Sequence, residues 1–363
     1  MEKSWRARCC TGLLALLAIP QITGTAAQRG AARPQEPIAA IVDAFRTHDL
    51  VAVSDPHGNL QTQSFLRTLV TDPRFAAVVN DIVIEVGNAR YQDVMDRYIR
   101  GEQIPIEAVR PAWQNTTVAN QIWADEVLFE SIRKGNASRP RDRQLRVLLG
   151  DPPIDWTDVK TREDHFRWLG MRDSYPAALV QVEVLAKRRK ALLVWGHMHF
   201  QRRQIMSNFD MSDWRMQTIV SLIERASPTK VFTIWRLDEE LEKLVPGLAS
   251  WAVPSLAVTR GTTLGETDVA RLSPRLALAR MMVKGDALVP LPRAQWLSMP
   301  VEEQLDAVLY LGPAARMTEI TTPAQACAQP GFLEERLRRI ALTGIPAFEA
   351  DRVKQVCAVG SAR

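Results

Sequence analysis

The sequence predicts an α/β protein with a mostly parallel central sheet, helices on both faces and a less regular C-terminal region. Two observations predict this class. Short aliphatic runs alternate with amphipathic stretches through most of the chain, as strands and helices do in βαβ units. The runs are continuous instead of alternating with polar residues, which is typical of parallel strands buried on both faces.

The boundaries of the predicted elements follow from these runs. The predicted strands are Leu50–Ser54, Ile82–Val86, Arg146–Leu149, Ala191–Trp195, Val231–Trp235 and Ala307–Leu311. The predicted helices are Ile38–Arg46, Gln61–Val70, Tyr91–Ile99, Asn120–Arg133, Tyr175–Lys187 and Met216–Glu224. We assign residues 28–37 to a polar leader, 38–313 to an α/β catalytic-like domain with an irregular excursion at 245–300, and 314–363 to a C-terminal helical extension.

Residues 1–27 have the pattern of a cleavable signal peptide. A basic start, "MEKSWRAR", precedes an apolar stretch and a small-residue site before Gln28. An N-terminal membrane anchor is the alternative. No later segment is long and apolar enough to cross a bilayer, so we expect an exported protein, periplasmic or secreted, with no stable membrane span after cleavage.

Two of the four cysteines lie in the signal segment, which leaves Cys327 and Cys357 in the mature chain. An even pair in an oxidising compartment predicts one disulfide. The stretches "FLEERLRRIALTG" and "AFEADRVKQVC" predict two helices that this disulfide would tether.

The net charge of +5 is small for 363 residues and is spread along the chain. The basic clusters at 187–190 and 202–203 fit the solvated ends of helices, where cations meet the negative pole of the helix dipole. No nucleic-acid fold signature accompanies them. We therefore expect a small-molecule substrate and no nucleic-acid partner, and we leave the oligomeric state open.

Polar side chains follow four consecutive predicted strands. They are Asp55 and His57 after the first, Glu85 and Asn88 after the second, Asp151 and Asp155 after the third, and His197 and His199 after the fourth. Ligands of open parallel sheets gather outside the carboxyl ends of the strands. The pattern therefore predicts one shared site.

Three short motifs match those of calcineurin-like metallophosphoesterases. They are "SDPHGN", "GDPPID" and "GHMH". Carboxylates and imidazoles in this pattern can hold two divalent cations. The candidate metal ligands are Asp55, His57, Asp151, Asp155, His197 and His199. The Gly-Asn-His-Asp/Glu motif that should follow the third strand is missing, so this is the second interpretation.

The order of motifs better resembles the superfamily that joins erythromycin esterases with ChaN-type haem-binding and TIKI-like proteins. Its turn after the first strand is matched by "SDPHG", its strand-ending Glu by Glu85 in "IVIEVGN", its Arg-Asp helix start by "MRDSYPAALV", and its late strand by "LLVWGHMHF". Two stretches, "VNDIVIEVGNARYQDVMDRYIRG" and "RVLLGDPPIDW", look like an exported bacterial branch of this group. The resemblance covers roughly residues 38–235.

Two departures limit what the resemblance implies. Asp55 stands where the family has Glu, which shortens the carboxylate arm by one methylene. The Met that usually follows the Arg-Asp pair is missing, and Pro176 lies nearby. The resemblance therefore does not predict erythromycin esterase activity itself for this chain.

The residues also suggest a chemistry of their own. His57 beside Asp55 can act as a general base that activates water, and Glu85 can hold the same imidazole or a metal. Arg172 lies at a helix start that Asp173 would cap, where it can present a cation to a developing oxyanion.

The fourth strand completes this catalytic set. His199 can donate to the leaving group, or it can complete a metal set with His57 and Asp151. In an extended chain His197 and His199 would project to the same side.

Three function classes follow. The first is an exported hydrolase that acts on an ester-type or related substrate, the second a metallophosphoesterase, and the third a non-catalytic haem or metal binder. The cofactor is left open between none, a divalent metal and haem.

Overall fold

The computed structural model describes residues 29–120, 126–202, 217–269, 281–284, 287–290, 299–320, 324–345 and 347–361. Its strands are β1 Leu50–Ser54, β2 Asp81–Asn88, β3 Arg146–Asp151, β4 Ala191–Trp195, β5 Val231–Arg236, β6 Ser255–Val258, β7 Met281–Lys284, β8 Ala287–Pro290 and β9 Ala307–Tyr310. Seven of these strands form the central sheet, in the order β3-β2-β4-β1-β5-β9-β6. Strands β7 and β8 form a separate antiparallel pair.

The central sheet is parallel except at one edge. Every neighbouring pair runs parallel apart from β6 and β9, which are antiparallel. In the pairing of β1 with β4, Leu50 lies opposite Ala191 and Ser54 opposite Trp195, so these two strands end at the same level. The predicted α/β class with a mostly parallel sheet is confirmed.

Helices surround this sheet. They are α1 Pro37–Ala44, α2 Leu60–Thr71, α3 Pro73–Val78, α4 Gln92–Ile99, α5 Ile106–Val109, α6 Pro111–Gln114, α7 Glu126–Ala137, α8 Arg162–Leu169, α9 Ser174–Val180, α10 Ile219–Ala226, α11 Glu239–Glu242, α12 Thr263–Glu266, α13 Ala324–Cys327, α14 Phe332–Thr343 and α15 Ala347–Ser361. A π-helical turn at Gln181–Leu185 continues α9. Short 3-10 turns occur at Ala89–Tyr91, Arg141–Arg143, His197–Phe200, Leu248–Ser250, Val301–Glu303 and Ala314–Arg316.

Both faces of the sheet are buried, which explains why its strands read as continuous aliphatic runs. Val51 and Val53 of β1 join one buried cluster, which includes helices α2 and α7. Leu50 and Ala52 of the same strand join a second cluster, on the opposite face, with α9 and α10. Alternate residues of a strand point to opposite faces, so a strand that is buried on both faces needs apolar side chains at every position.

The bounds of β1 and β4 match the prediction residue for residue, whereas other elements differ. Strands β2 and β3 run on to Asn88 and Asp151, so these two residues end their strands instead of following them. Within the excursion at 245–300, Ser255–Val258 forms β6 at the sheet edge. Four residues are too few to show a period in sequence.

Several predictions fall on residues outside the described ranges. The signal peptide at 1–27, residue 28 of the polar leader and Met216 at the start of a predicted helix all lie there. Of the helix predicted from Asn120, the described part begins at Glu126. Among the described helices, none has the length and apolar character that crossing a bilayer demands.

The C-terminal helices α14 and α15 pack together and are tied by a disulfide. Cys327 and Cys357 are bonded with their Cα atoms 5.3 Å apart, so the predicted pairing is confirmed. Arginines of α14 anchor the pair to the rest of the fold. Arg336 donates to the Gln114 carbonyl, and Arg339 Nη2 donates to Asn115 Oδ1 at 2.8 Å.

Replacing Cys327 by Ser should lower the free energy of unfolding by about 3 kcal/mol, because the unfolded chain gains conformational entropy when the disulfide no longer restricts it. Urea unfolding of the oxidised proteins measures this change. Cys357→Ser should give the same loss, and the double variant should lose no more than either single one. An unfolding midpoint that reductant leaves unchanged in the parent protein would contradict the prediction.

Candidate functional site

The site is organised around the buried carboxylate of Glu85 in β2. Its Oε1 accepts an ion-paired hydrogen bond from Arg172 and lies 3.5 Å from His199 Nε2. Its Oε2 lies 3.4 Å from His57 Nε2 and accepts the Gly196 N–H at 2.7 Å. Burial alone would raise the pKa of Glu85, but the positive charges of His57, Arg172 and His199 lower it to about 2. Glu85 is therefore ionised at neutral pH although it is only 3% exposed.

His57 stands on a tight turn directly after β1. Its φ is +61°, a left-handed conformation that is uncommon for a residue with a side chain, and Gly58 has the same φ. Asp55 holds the turn, since its Oδ1 accepts the His57 N–H at 3.1 Å and its Oδ2 lies 3.8 Å from His57 Nδ1. Burial lowers the pKa of His57, but Glu85 and Asp55 outweigh it and raise the pKa to about 9. The imidazole is therefore protonated at neutral pH.

His199 forms a second imidazole–carboxylate pair. Its Nδ1 lies 2.9 Å from Asp173 Oδ1, and the same oxygen accepts the Ile219 N–H at 2.8 Å. Burial disfavours the charged ring, yet Asp173 and Glu85 raise the pKa of His199. The prediction that Asp173 caps its own helix is wrong. Its side chain makes no capping bond to α9 and instead orients His199 and meets the start of α10.

Arg172 links Glu85 to a second buried carboxylate, Asp151, at the end of β3. Arg172 Nε lies 3.8 Å from Asp151 Oδ1. Thr117 binds both oxygens of Asp151, with its N–H at 2.7 Å and its Oγ1 at 2.5 Å. Burial raises the pKa of Asp151 to about 7, although Arg172 and Thr117 act in the opposite direction. Asp151 thus contacts Arg172 at Nε, whereas Glu85 contacts it at Nη2.

Two predicted metal ligands lie apart from this cluster. Asp155 accepts the Thr157 N–H at 2.9 Å and pairs with Arg90 at 2.8 Å. The His197 ring packs against Trp235 at 5.5 Å, and burial lowers the pKa of His197 to about 4.

The backbone explains why the two neighbouring histidines diverge. Residues His197–Phe200 form a 3-10 turn and not an extended segment, so side chains two positions apart do not share a side. The extended backbone on which the expectation of one shared ligand rested is therefore not present at His197 and His199.

The donor set does not fit a divalent metal ion. The oxygens of Asp151 are bound by Thr117, and Glu85 is ion-paired with Arg172, so neither carboxylate is free to bind an ion. His199 Nδ1 pairs with Asp173, which leaves Nε2 as its one possible ligand atom. In the part of the chain that the structure describes, no three His, Cys, Asp or Glu side chains are placed to bind one ion.

A cavity of about 380 Å³ opens beside His57, at the carboxyl ends of the sheet strands. Its wall is mostly polar and charged and includes Asn59, Arg236, Asp238, Glu240 and Glu319. This size suits a small polar molecule. A porphyrin needs an apolar slot, which this wall does not provide.

Some residues of the site carry no sequence signal. Thr117 lies in the loop between α6 and α7, 34 positions before its partner Asp151. Nothing in the local sequence marks that long-range contact. Gly196 could have been noticed, because it directly follows β4 in "WGHMH".

No family model matches this sequence, and neither does any curated protein. Solved structures give coarse likenesses. A Bacillus cereus protein aligns at 10% identity and a TM-score of 0.48, covering 80% of this chain and 96% of its own. A succinoglycan biosynthesis protein aligns at 10% identity and a TM-score of 0.49, covering 78% and 94%.

ChaN of Campylobacter jejuni, a structure with cofacially bound haem, also aligns. Its identity is 10% and its TM-score 0.34, covering 56% of this chain and 86% of its own. All three TM-scores lie below 0.5, so the chemistry of the site rests on its own geometry.

Replacing Gly196 by Ala should disturb the contact between His57 and Glu85. The backbone of Gly196, at φ −56° and ψ 140°, suits alanine, so the test is purely steric. The added methyl would lie 3.3 Å from His57 Nε2 and 3.6 Å from Glu85 Oε2. Because Glu85 raises the pKa of His57, we expect that pKa to fall from about 9 toward its ordinary value.

Histidine NMR titration measures this shift. Gly135→Ala, in helix α7, is a matched control, since its methyl would come no closer than 3.5 Å to Arg139. An unchanged His57 titration in Gly196→Ala would refute the steric argument.

Proposed function

We propose that this chain is an exported hydrolase whose histidine–carboxylate site activates water on an ester-type or related small-molecule substrate. One observation carries the proposal. His57 and His199 lie on either side of the ionised Glu85 carboxylate, Arg172 contacts the same carboxylate, and His57 reaches a ligand-sized cavity. Of this group only His57 lines the cavity, and the other side chains lie behind it. Polarised side chains beside a cavity are typical of a catalytic site.

His57 is the proposed general base. Its Nε2 faces Glu85 and its Nδ1 faces Asp55, so the imidazolium formed by taking a proton from water is stabilised on both sides. That stabilisation makes the neutral ring a strong base, and it also keeps the ring protonated at neutral pH. In this mechanism the minority neutral form of His57 starts the reaction.

Arg172 and His199 supply the positive charge that the reaction needs. A tetrahedral intermediate carries an oxyanion, which fixed cations stabilise in a site shielded from water. Asp173 fixes the ring of His199 through Nδ1 and favours its protonated form, which can donate to the leaving group. Asp151 and Glu85 hold the guanidinium of Arg172 between them.

The order of motifs supports the same assignment. It resembles the erythromycin esterase and ChaN-type superfamily through the turn at Asp55 and His57, Glu85, the Arg172–Asp173 pair and His199. The metallophosphoesterase alternative requires metal ligands that converge, and the present donor set does not. Export is part of the proposal, since the N-terminal pattern and a disulfide both suit an oxidising compartment.

His57→Ala should reduce the hydrolysis of p-nitrophenyl acetate or butyrate by about 10²–10⁴-fold, which is typical for loss of a positioned base. A stopped-flow or plate assay of released p-nitrophenol measures it. His48→Ala is the matched control. His48 precedes β1 and so lies at the amino ends of the strands, away from the site, where its ring packs against Phe232.

The control variant should keep full activity. Equal losses in the two variants would contradict a catalytic role for His57. Absence of any protein-dependent hydrolysis by the parent protein would contradict the ester assignment itself.

The rate should depend on pH with a midpoint near 9, the pKa of His57. Only the neutral imidazole can accept a proton, so kcat/KM should rise about tenfold per pH unit below the midpoint and level off above it. Asp55→Asn should move the midpoint to lower pH, because Asp55 helps to raise that pKa. A rate that falls as the pH rises toward 9 would contradict the role of His57 as a base.

A further inference from the structure

A second cavity lies at the amino ends of the sheet strands, beside β2 and β3. Its volume is about 230 Å³. Four guanidinium groups line it, those of Arg100, Arg141, Arg146 and Arg189, and only two carboxylates, those of Asp96 and Asp142. Its wall also includes the aliphatic side chains Ile99, Leu145 and Val147, all of which are buried.

Two of the arginines are fixed by one fully buried carboxylate. Asp81, the first residue of β2, is 0% exposed. It accepts Arg146 Nε at 2.9 Å and Arg189 Nε and Nη2 at 2.7 Å each. One carboxylate thus holds two guanidinium groups side by side, which leaves an excess of one positive charge. Nη1 of Arg189 makes no hydrogen bond to any other described residue.

The neighbouring charges leave this excess at one positive charge. Glu183 binds Arg146 and Lys187, both at 2.7 Å, and so adds one carboxylate and one further cation. The lining carboxylates of Asp96 and Asp142 are matched in number by Arg100 and Arg141. The lining residues Arg100 and Arg141 form no ion pair with another described residue. Their donors are therefore available to a ligand.

We propose that this pocket binds a phosphate-type oxyanion, either inorganic phosphate or a phosphate monoester. A planar guanidinium offers several N–H donors to phosphate oxygens. All three nitrogens of Arg146 are engaged by Asp81 and Glu183, so Arg146 contributes its charge, whereas Arg189 keeps Nη1 for a ligand. The exposed Arg100 and Arg141 supply the remaining donors to the anion.

Isothermal titration with sodium phosphate at constant ionic strength tests the proposal. The variant is Arg100→Gln/Arg141→Gln, which spares the arginines that Asp81 needs. The matched control is Arg97→Gln/Arg46→Gln, which removes the same charge. Its two arginines lie outside the lining and pair with Glu102 and Asp43 on the surface.

We expect the parent protein and the control to bind phosphate with equal Kd, and the lining variant to bind at least tenfold more weakly, the effect of losing one charged hydrogen bond. Circular dichroism checks that all three proteins are folded. No binding by the parent protein overturns the proposal, and so does equal weakening in the two variants, which would reflect net charge alone.

Cosedimentation with phosphatidic acid vesicles distinguishes the source of the phosphate. Vesicle binding that free phosphate displaces, and that the lining variant loses, assigns the pocket to a lipid headgroup. Binding of free phosphate without vesicle binding assigns it to a soluble ligand. Vesicle binding without any binding of free phosphate overturns the proposal.

Discussion

The site depends on how one buried carboxylate is compensated. An ionised Glu85 in the sheet interior would be strongly unfavourable by itself, because burial removes its hydration. Arg172, His57, His199 and the Gly196 N–H replace the lost water. These partners come from three segments, because Gly196 and His199 share the turn after β4, so satisfying a single charge draws three parts of the chain to β2.

The same strand repeats this arrangement at its other end. Asp81 begins β2 and Glu85 lies four residues later, and both are buried acids within the sheet. Asp81 is balanced by two arginines alone, Arg146 and Arg189. Glu85 is balanced partly by imidazoles, whose positive charge is lost as the pH rises. Permanent cations suit a fixed anion-binding wall, whereas titratable ones suit proton transfer.

The sequence predicts most of the sheet, because strands buried on both faces leave continuous aliphatic runs such as Leu50–Ser54. It also predicts which strand ends carry polar residues. It cannot predict partners that depend on loops. Thr117 meets Asp151 only through tertiary packing. Likewise, His197 differs from His199 because a 3-10 turn, invisible in the sequence, rotates one ring toward Trp235.

The position of Glu85 within β2 determines which parts of the site can move. Its backbone lies in a strand that is paired with β3 on one side and β4 on the other, so it is held by the sheet itself. His57 stands on a left-handed turn, and His199 on a short 3-10 turn. Adjustment to a ligand must therefore come from the two histidine turns, while the carboxylate remains the fixed reference.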